Sequence, residues 1–249
     1  LEGDQPKLLD FIFNGWGNKF KSALDNKITL NLSDTLFKAL PIASKAFILE
    51  GGSIESDGRG VLLTTTQCLL STTRNSDMTQ SQIEHFLKKE LGLKKILWLN
   101  HGALIGDDTD AHIDTLARFC AVDTIAYVKC KDSQDIHYQT LKCMEDELKE
   151  FKDLSGKKYK LVALPMPDAC YAQEGNRLPA TYANFLLVND GVLVPSYGVR
   201  QDQEALDRIQ NIFPKRKVVG VDCLPLIQQN GSLHCISMQY PSAVKIMLE

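Results

Sequence analysis

Apolar residues recur along the chain in a fixed succession: two short β-type runs around a polar turn, an amphipathic helix, then a third β-type run. The first pair of runs is Ala46–Glu50 and Val61–Leu63, with Ser56-Asp57-Gly58-Arg59-Gly60 as the turn. The second is Leu116–Cys120 and Thr124–Val128 around Val122-Asp123, and the third is Ala183–Val188 and Val192–Val194 around Asn189-Asp190-Gly191. Asp-Gly and Asn-Asp-Gly tolerate positive φ and so mark hairpins. Asp57, Asp123 and Asp190 lie 66 and 67 residues apart, which points to a repeated supersecondary unit.

Helical periodicity fills the intervals. Ile83, Phe86, Leu87 and Leu91 line one face, with Gly92 as a stop. Two capping boxes compete for the start of that helix, Ser81 with Glu84 and Thr79 with Gln82. Ile136, Leu141, Met144, Leu148 and Phe151 predict a second helix, and Ala205, Leu206, Ile209, Ile212 and Phe213 a third before Pro214. Ile96–Leu99, Tyr159–Leu164 and Val218–Val221 read as the closing strands, and Leu8–Phe13 as an isolated early one. No linker interrupts the succession, so residues 1–249 are expected to form one α/β domain of packed strand–strand–helix–strand units.

Composition narrows the class. With 44% apolar and 24% charged residues the chain is of ordinary globular type, and 249 residues can bury a sizeable core. The net charge of −3 supplies no basic field for nucleic acid. No apolar run approaches the ~20 residues that span a bilayer. Seven widely spaced cysteines without a C-x-x-C pair argue against a disulfide framework and a zinc site, and favour a reducing, cytoplasmic setting. The chain begins at Leu1, without Met, and enters a strand-like run almost at once; upstream sequence is expected to be missing.

Three segments offer chemistry. Glu50-Gly51-Gly52 ends a predicted strand, where the glycines admit close backbone approach and the carboxylate faces either a site or solvent. Gly106–Asp114 holds Asp107, Asp108, Asp110, Asp114 and His112 within nine residues. Ile113 and Phe119 stand where a calcium loop needs glycine and glutamate, and one histidine is too few nitrogen ligands for zinc. In extended geometry His112 and Asp114 share a face. Otherwise the segment is a solvated acidic loop. Cys235 follows the turn at Gly231 and is either inert or a nucleophile; His234, its neighbour on a predicted strand, points to the opposite face, so His112 is the better base. His85, His101 and His137 read as surface or cap residues. A thiol, an imidazole and carboxylates together suit a planar cation such as a guanidinium.

The segments Phe13–Gly17 (FNGWG), Leu49–Ile54 (LEGGSI), Leu62–Leu70 (LLTTTQCLL), Gly106–Arg118 (GDDTDAHIDTLAR), Leu178–Asn184 (LPATYAN) and Gly231–Gln239 resemble the agmatine deiminases of the guanidino-group-modifying pentein superfamily, close to bacterial peptidylarginine-deiminase-like proteins. The resemblance runs through essentially the whole chain. It implies a pseudo-fivefold propeller of ββαβ units around a central site, with the first unit, which carries a further guanidinium-binding aspartate, absent from this sequence. It implies Cys235 as nucleophile, His112 as acid and base, Asp114 on the guanidinium, Glu50 orienting His112 or helping to bind the guanidinium, and Trp16 and Asp108 near the substrate. Trp16 also reads as a core residue. The implied reaction converts agmatine to N-carbamoylputrescine and ammonia through a covalent amidino-cysteine, without metal or organic cofactor. A homodimer is also compatible with it.

Other readings stay open on the residues alone. A related deiminase could act on free, methylated or peptidyl arginine, with Arg59, Arg74 or Arg177 available for a carboxylate. A fragment that binds guanidines or polyamines without turnover, or an α/β scaffold with a solvated acidic face, would carry the same composition.

Overall fold

A computed structural model describes residues 6–33, 35–37, 40–242 and 244; the Leu1 start lies outside them. Three units repeat one topology. In each, a short strand pairs antiparallel with the next, a helix crosses over, and a third strand returns parallel to the second. The units are β3 (Ile54–Ser56), β4 (Val61–Thr65) and β5 (Lys95–Leu99); β6 (Ala117–Ala121), β7 (Thr124–Lys129) and β8 (Lys160–Pro165); and β9 (Leu186–Val188), β10 (Gly191–Ser196) and β11 (Lys217–Asp222). Before them, β1 (Leu8–Ile12) and β2 (Ile42–Ile48) form a parallel pair. The four sheets are separate, and none closes among the described residues.

The second and third hairpins form where their turn residues put them. The first does not start where its apolar run suggests. Phe47, Ile48 and their neighbours belong to β2, paired with β1, and the hairpin strand is Ile54–Ser56. Between them Gly51–Ser53 coils into a 3₁₀ turn that ends the extended run. The same device precedes the other hairpins, at Ile113–Thr115 and at Tyr182–Asn184, which takes Ala183 out of the predicted strand.

The crossover helices span Gln80–Leu91, Tyr138–Glu150 and Asp202–Ile212. At the first, Thr79 wins over Ser81: its backbone N–H donates to Gln82 Oε1 at 2.7 Å and Gln82 N–H returns a bond to its hydroxyl. Gly92 takes the left-handed C-terminal position at φ 67°. Glu84 instead accepts from Trp98 Nε1 on β5. Ile136 precedes the second helix and is exposed, whereas Leu141, Met144 and Leu148 are sealed in the core.

Adjacent units are joined by Arg118. Its Nε donates to Glu55 on β3 at 2.7 Å and its Nη1 to the Phe185 carbonyl at 2.8 Å, with the guanidinium 5.0 Å from the Phe185 ring. No helix among the described residues is long and apolar enough to cross a membrane.

Candidate active site

The chemistry-bearing residues gather where the three 3₁₀ turns meet. Threonines stitch the turns together: Thr64 donates to Ser53 O, Thr65 to Ala111 O and Thr181 to Thr115 O, at 2.7, 2.8 and 2.9 Å. Glu50 caps the first turn, His112 caps the second, Asp114 lies inside it, and Asn184 ends the third. His112 and Asp114 converge through this tight turn rather than through an extended strand. Both face Gly52, where an added Cβ would stand 2.6 Å from His112 Nδ1 and 3.0 Å from Asp114 Oδ2.

Cys235 and His234 lie in a turn after the last unit, not in a strand. Their side chains therefore do not diverge. His234 Nδ1 lies 2.8 Å from Asp114 Oδ2, and Cys235 Sγ lies 3.8 Å from the same oxygen. Asn184 fixes this turn, because its Oδ1 accepts from His234 N at 2.8 Å and its Nδ2 donates to Asp114 O at 3.3 Å and to Cys235 Sγ at 3.4 Å. Asn184 was legible only as part of a motif; its touch on the sulfur depends on the packing of two distant turns.

The residue Cys235 is exposed, yet its thiol is pushed up to about 12, first by the protein that displaces water around the sulfur and then by the Asp114 charge. Burial works to raise Asp114 too, but the His234 hydrogen bond and the charges of His112 and Arg118 hold its carboxyl below the ordinary range. Asp114 Oδ1 is buried and has no hydrogen-bond partner among the described residues. An ionised carboxylate oxygen in that state is an acceptor awaiting a donor.

The acidic loop is divided in function. Asp107 folds it, accepting from Thr109 N at 3.0 Å and Ala111 N at 2.7 Å. Asp110 is neutralised by Lys19 and Arg74. Asp108 accepts from Asn230 Nδ2 at 3.2 Å, and burial, helped by the Asp107 charge, raises its carboxyl. Trp16 is not a core residue. It is half-buried at φ 55°, packed edge-on against Phe13 and Phe20, and Lys19 ties its segment to the Asp108 carbonyl at 2.7 Å.

Arg74 is no free loop cation. Its side chain is fully buried, with Nε 3.0 Å from both Glu50 oxygens, Nη1 2.7 Å from Asp110 Oδ2 and Nη2 3.0 Å from Thr109 O. Glu50 is thereby held 3.9 Å from His112 Nε2. Arg177 is engaged by Asp135 at 2.8 Å, and exposed Arg59 lies in the hairpin turn at the far end of β4. His85 and His101 are exposed, as expected, and His137 stands at the N-cap position of the second crossover helix, where it is buried, paired with Asp135 through Nδ1 and accepting from Ile105 N through Nε2.

The family model for Porphyromonas-type peptidyl-arginine deiminases matches residues 3–241. A relative from Legionella pneumophila (strain Paris) is 35% identical over 243 residues, 96% of this chain and 68% of its own length. A solved C. jejuni agmatine deiminase with substrate bound is 45% identical, with TM-score 0.86 over 93% of this chain and 67% of that one. The agmatine deiminase of Enterococcus faecalis is 30% identical, with TM-score 0.89 over 98% and 72%. The DDAH of Pseudomonas aeruginosa, at 11% identity, shares the fold alone, with TM-score 0.50 over 92% and 70%. The architecture is thus the α/β fold of the pentein superfamily. Within it, this chain belongs to the Porphyromonas-type peptidyl-arginine deiminase family.

Proposed function

We propose that this chain hydrolyses agmatine to N-carbamoylputrescine and ammonia. The observation that carries the reading is Asp114: a buried carboxylate with one oxygen held by His234 and the other without a donor among the described residues, beside a cysteine sulfur. A planar guanidinium supplies paired N–H donors and a positive charge to such a group. The agmatine deiminases among the solved relatives support it.

In the proposed sequence the guanidinium docks on Asp114, with Glu50 beside it, and its charge offsets the repulsion that keeps Cys235 protonated. The sulfur attacks the guanidinium carbon as its proton passes to His112. The tetrahedral adduct collapses, ammonia leaves with a proton from His112, and an amidino-thioether remains on Cys235. His112 then takes a proton from water; hydroxide adds to the amidino carbon, and the C–S bond breaks to give the ureido product and the thiol. One water is consumed and one ammonia released. Trp16 and Asp108 are assigned to the substrate's surroundings, a placement supported by the Lys19 tether between their segments.

Agmatine is favoured over arginine because the cations considered for an α-carboxylate are engaged or remote: Arg74 on Glu50, Arg177 on Asp135, Arg59 beyond β4. The three ββαβ units are read as part of a pentein propeller within a single domain. Seven free cysteines fit a cytoplasmic location. Exposed Phe20, Leu24 and Ile28 fit a homodimer contact.

Ureido product from agmatine and from arginine, measured with the chain and its Cys235→Ala variant, tests the reading. Agmatine turnover abolished in the variant is expected. Preference for arginine overturns the substrate, and turnover by the variant overturns the nucleophile.

A further inference from the structure

The proposed reaction uses the Nδ1 edge of His112, which faces Gly52 and Asp114. The opposite edge has its own surroundings. His112 Nε2 is buried without a hydrogen-bond partner among the described residues, and Glu50 Oε2 stands 3.9 Å from it. Cys68, on the short helix Thr66–Leu69 that follows β4, closes the same space. Its sulfur, a Glu50 oxygen and a His112 nitrogen all lie within 4.8 Å of one another. Cys68 is 0%, His112 4% and Glu50 6% exposed.

One sulfur, one imidazole nitrogen and one carboxylate oxygen form a donor set for a borderline-soft ion. Magnesium or calcium would require an oxygen shell that this space does not offer. Ligands at zinc distances stand about 3.5 Å apart around a tetrahedral ion, so the triad needs a contraction of roughly 1 Å. Arg74 leaves room for this. A carboxylate has about four acceptor sites, and the Arg74 Nε–H occupies only one direction between the two oxygens. A dication displaces the Cys68 proton and meets thiolate and Glu50, while Arg74 stays paired with Asp110.

We propose that Glu50, Cys68 and His112 form a site for a thiophilic divalent ion of the zinc class, with a fourth position left to water. Occupancy removes His112 from proton transfer, so the ion inhibits rather than assists; this consequence rests on the proposed role of His112, whereas the binding does not.

Cobalt(II) titration of the purified chain reads the binding directly. One equivalent is expected to give a thiolate-to-cobalt charge-transfer band that zinc abolishes. The band is expected to persist in Cys235→Ala and to be lost in Cys68→Ala, with the zinc concentration for half-inhibition of agmatine turnover at least ~10-fold higher in Cys68→Ala. Persistence in Cys68→Ala, loss in Cys235→Ala, or no band in the parent chain overturns the site. Because Cys68→Ala removes a buried side chain, zinc-soaked crystals of the parent chain supply the independent measurement. An anomalous peak between Glu50, Cys68 and His112 is expected, and a peak beside Cys235 and His234, or none, overturns it. An inactive chain that still binds zinc here would sink the agmatine reading alone.

Discussion

Asp114 and His234 meet at 2.8 Å through Oδ2 and Nδ1, across 120 residues of sequence. That bond decides the state of the carboxylate, since burial alone would push Asp114 up and His234 is the strongest influence holding it down. A hydrogen bond to a charged group contributes about 1.5–3 kcal/mol, so His234→Ala is expected to lower kcat/KM for agmatine by ~10–100-fold. The sign of the pH effect follows: without His234 the Asp114 pKa rises, and the acid limb of the kcat/KM profile moves to higher pH. An unmoved acid limb in the variant would show that Asp114 is held by something else.

Cys235 gives a second pH signature. With its thiol at about 12, roughly one molecule in 10⁵ is ionised at pH 7, and the cation that docks on Asp114 has to shift that balance. Cationic chloroacetamidine is therefore expected to alkylate Cys235 at least ~10-fold faster than neutral chloroacetamide at pH 7, the equivalent of about 1.4 kcal/mol of pairing. The neutral reagent's rate should still be climbing above pH 9. Mass spectrometry of the Cys235 peptide checks both, and equal rates for the two reagents would remove substrate-assisted ionisation.

Arg74 is a stability prediction. Its guanidinium satisfies Glu50, Asp110 and the Thr109 carbonyl from a fully buried position. Arg74→Ala leaves the buried Glu50 carboxylate without its cation and Asp110 with Lys19 alone, and is expected to cost about 3–5 kcal/mol. Arg74→Lys restores one charge but cannot reproduce the fork, and should recover only part of the loss. Thermal unfolding of the three proteins orders them, and an Arg74→Ala midpoint equal to that of the parent would contradict the network.

Asp135 carries a separate acid dependence away from the site. Burial opposes its ionisation, but Arg177 and His137 lower its carboxyl to about 2. A depressed folded pKa means stability that is present above the unfolded value near 3.8 and is lost as pH falls toward 2. The shift is equivalent to about 2 kcal/mol. Asp135→Asn should therefore melt below the parent at pH 6, with the gap narrowing by pH 3. A gap independent of pH would assign the loss to packing instead.

The sequence carried the repeat because its signals are local. Asp123 and Asn189-Asp190-Gly191 fix hairpin turns whatever surrounds them, and Thr79 with Gln82 caps a helix within four residues. The three 3₁₀ turns were not legible, since apolar runs such as Leu49-Glu50 and Ala183-Asn184-Phe185 look like strand until the neighbouring turn packs on them. His112 and Asp114 do pair, but through a 3₁₀ turn and not through the extended geometry that their spacing suggests. His234 pairs with Asp114 because residues 233–236 form a turn, whereas the alternation of a strand would turn it away from Cys235. Cys68 and Arg74 lie in the LLTTTQCLL segment and just after it, but their approach to Glu50 is long-range contact that no spacing encodes.

Gly52 offers the narrowest test of the site, because space alone requires a glycine there. Its φ is not in the left-handed region, so alanine costs the backbone little. The added Cβ, however, would stand 2.6 Å from His112 Nδ1 and 3.0 Å from Asp114 Oδ2, both on buried side chains, and His234 already holds that Asp114 oxygen. One or both must move by several tenths of an ångström, and a misplacement of ~1 Å at a reacting group costs about 10²-fold. Gly52→Ala is expected to lose on the order of 100-fold in kcat for agmatine. Gly51, where an added Cβ meets nothing within 4 Å, provides the control, and Gly51→Ala should retain activity within a few fold. Circular dichroism and thermal unfolding establish that both variants fold. Equal activity in the two would mean that the His112–Asp114 edge over Gly52 does not meet the substrate, and the nucleophile's partner would then have to be sought at His234.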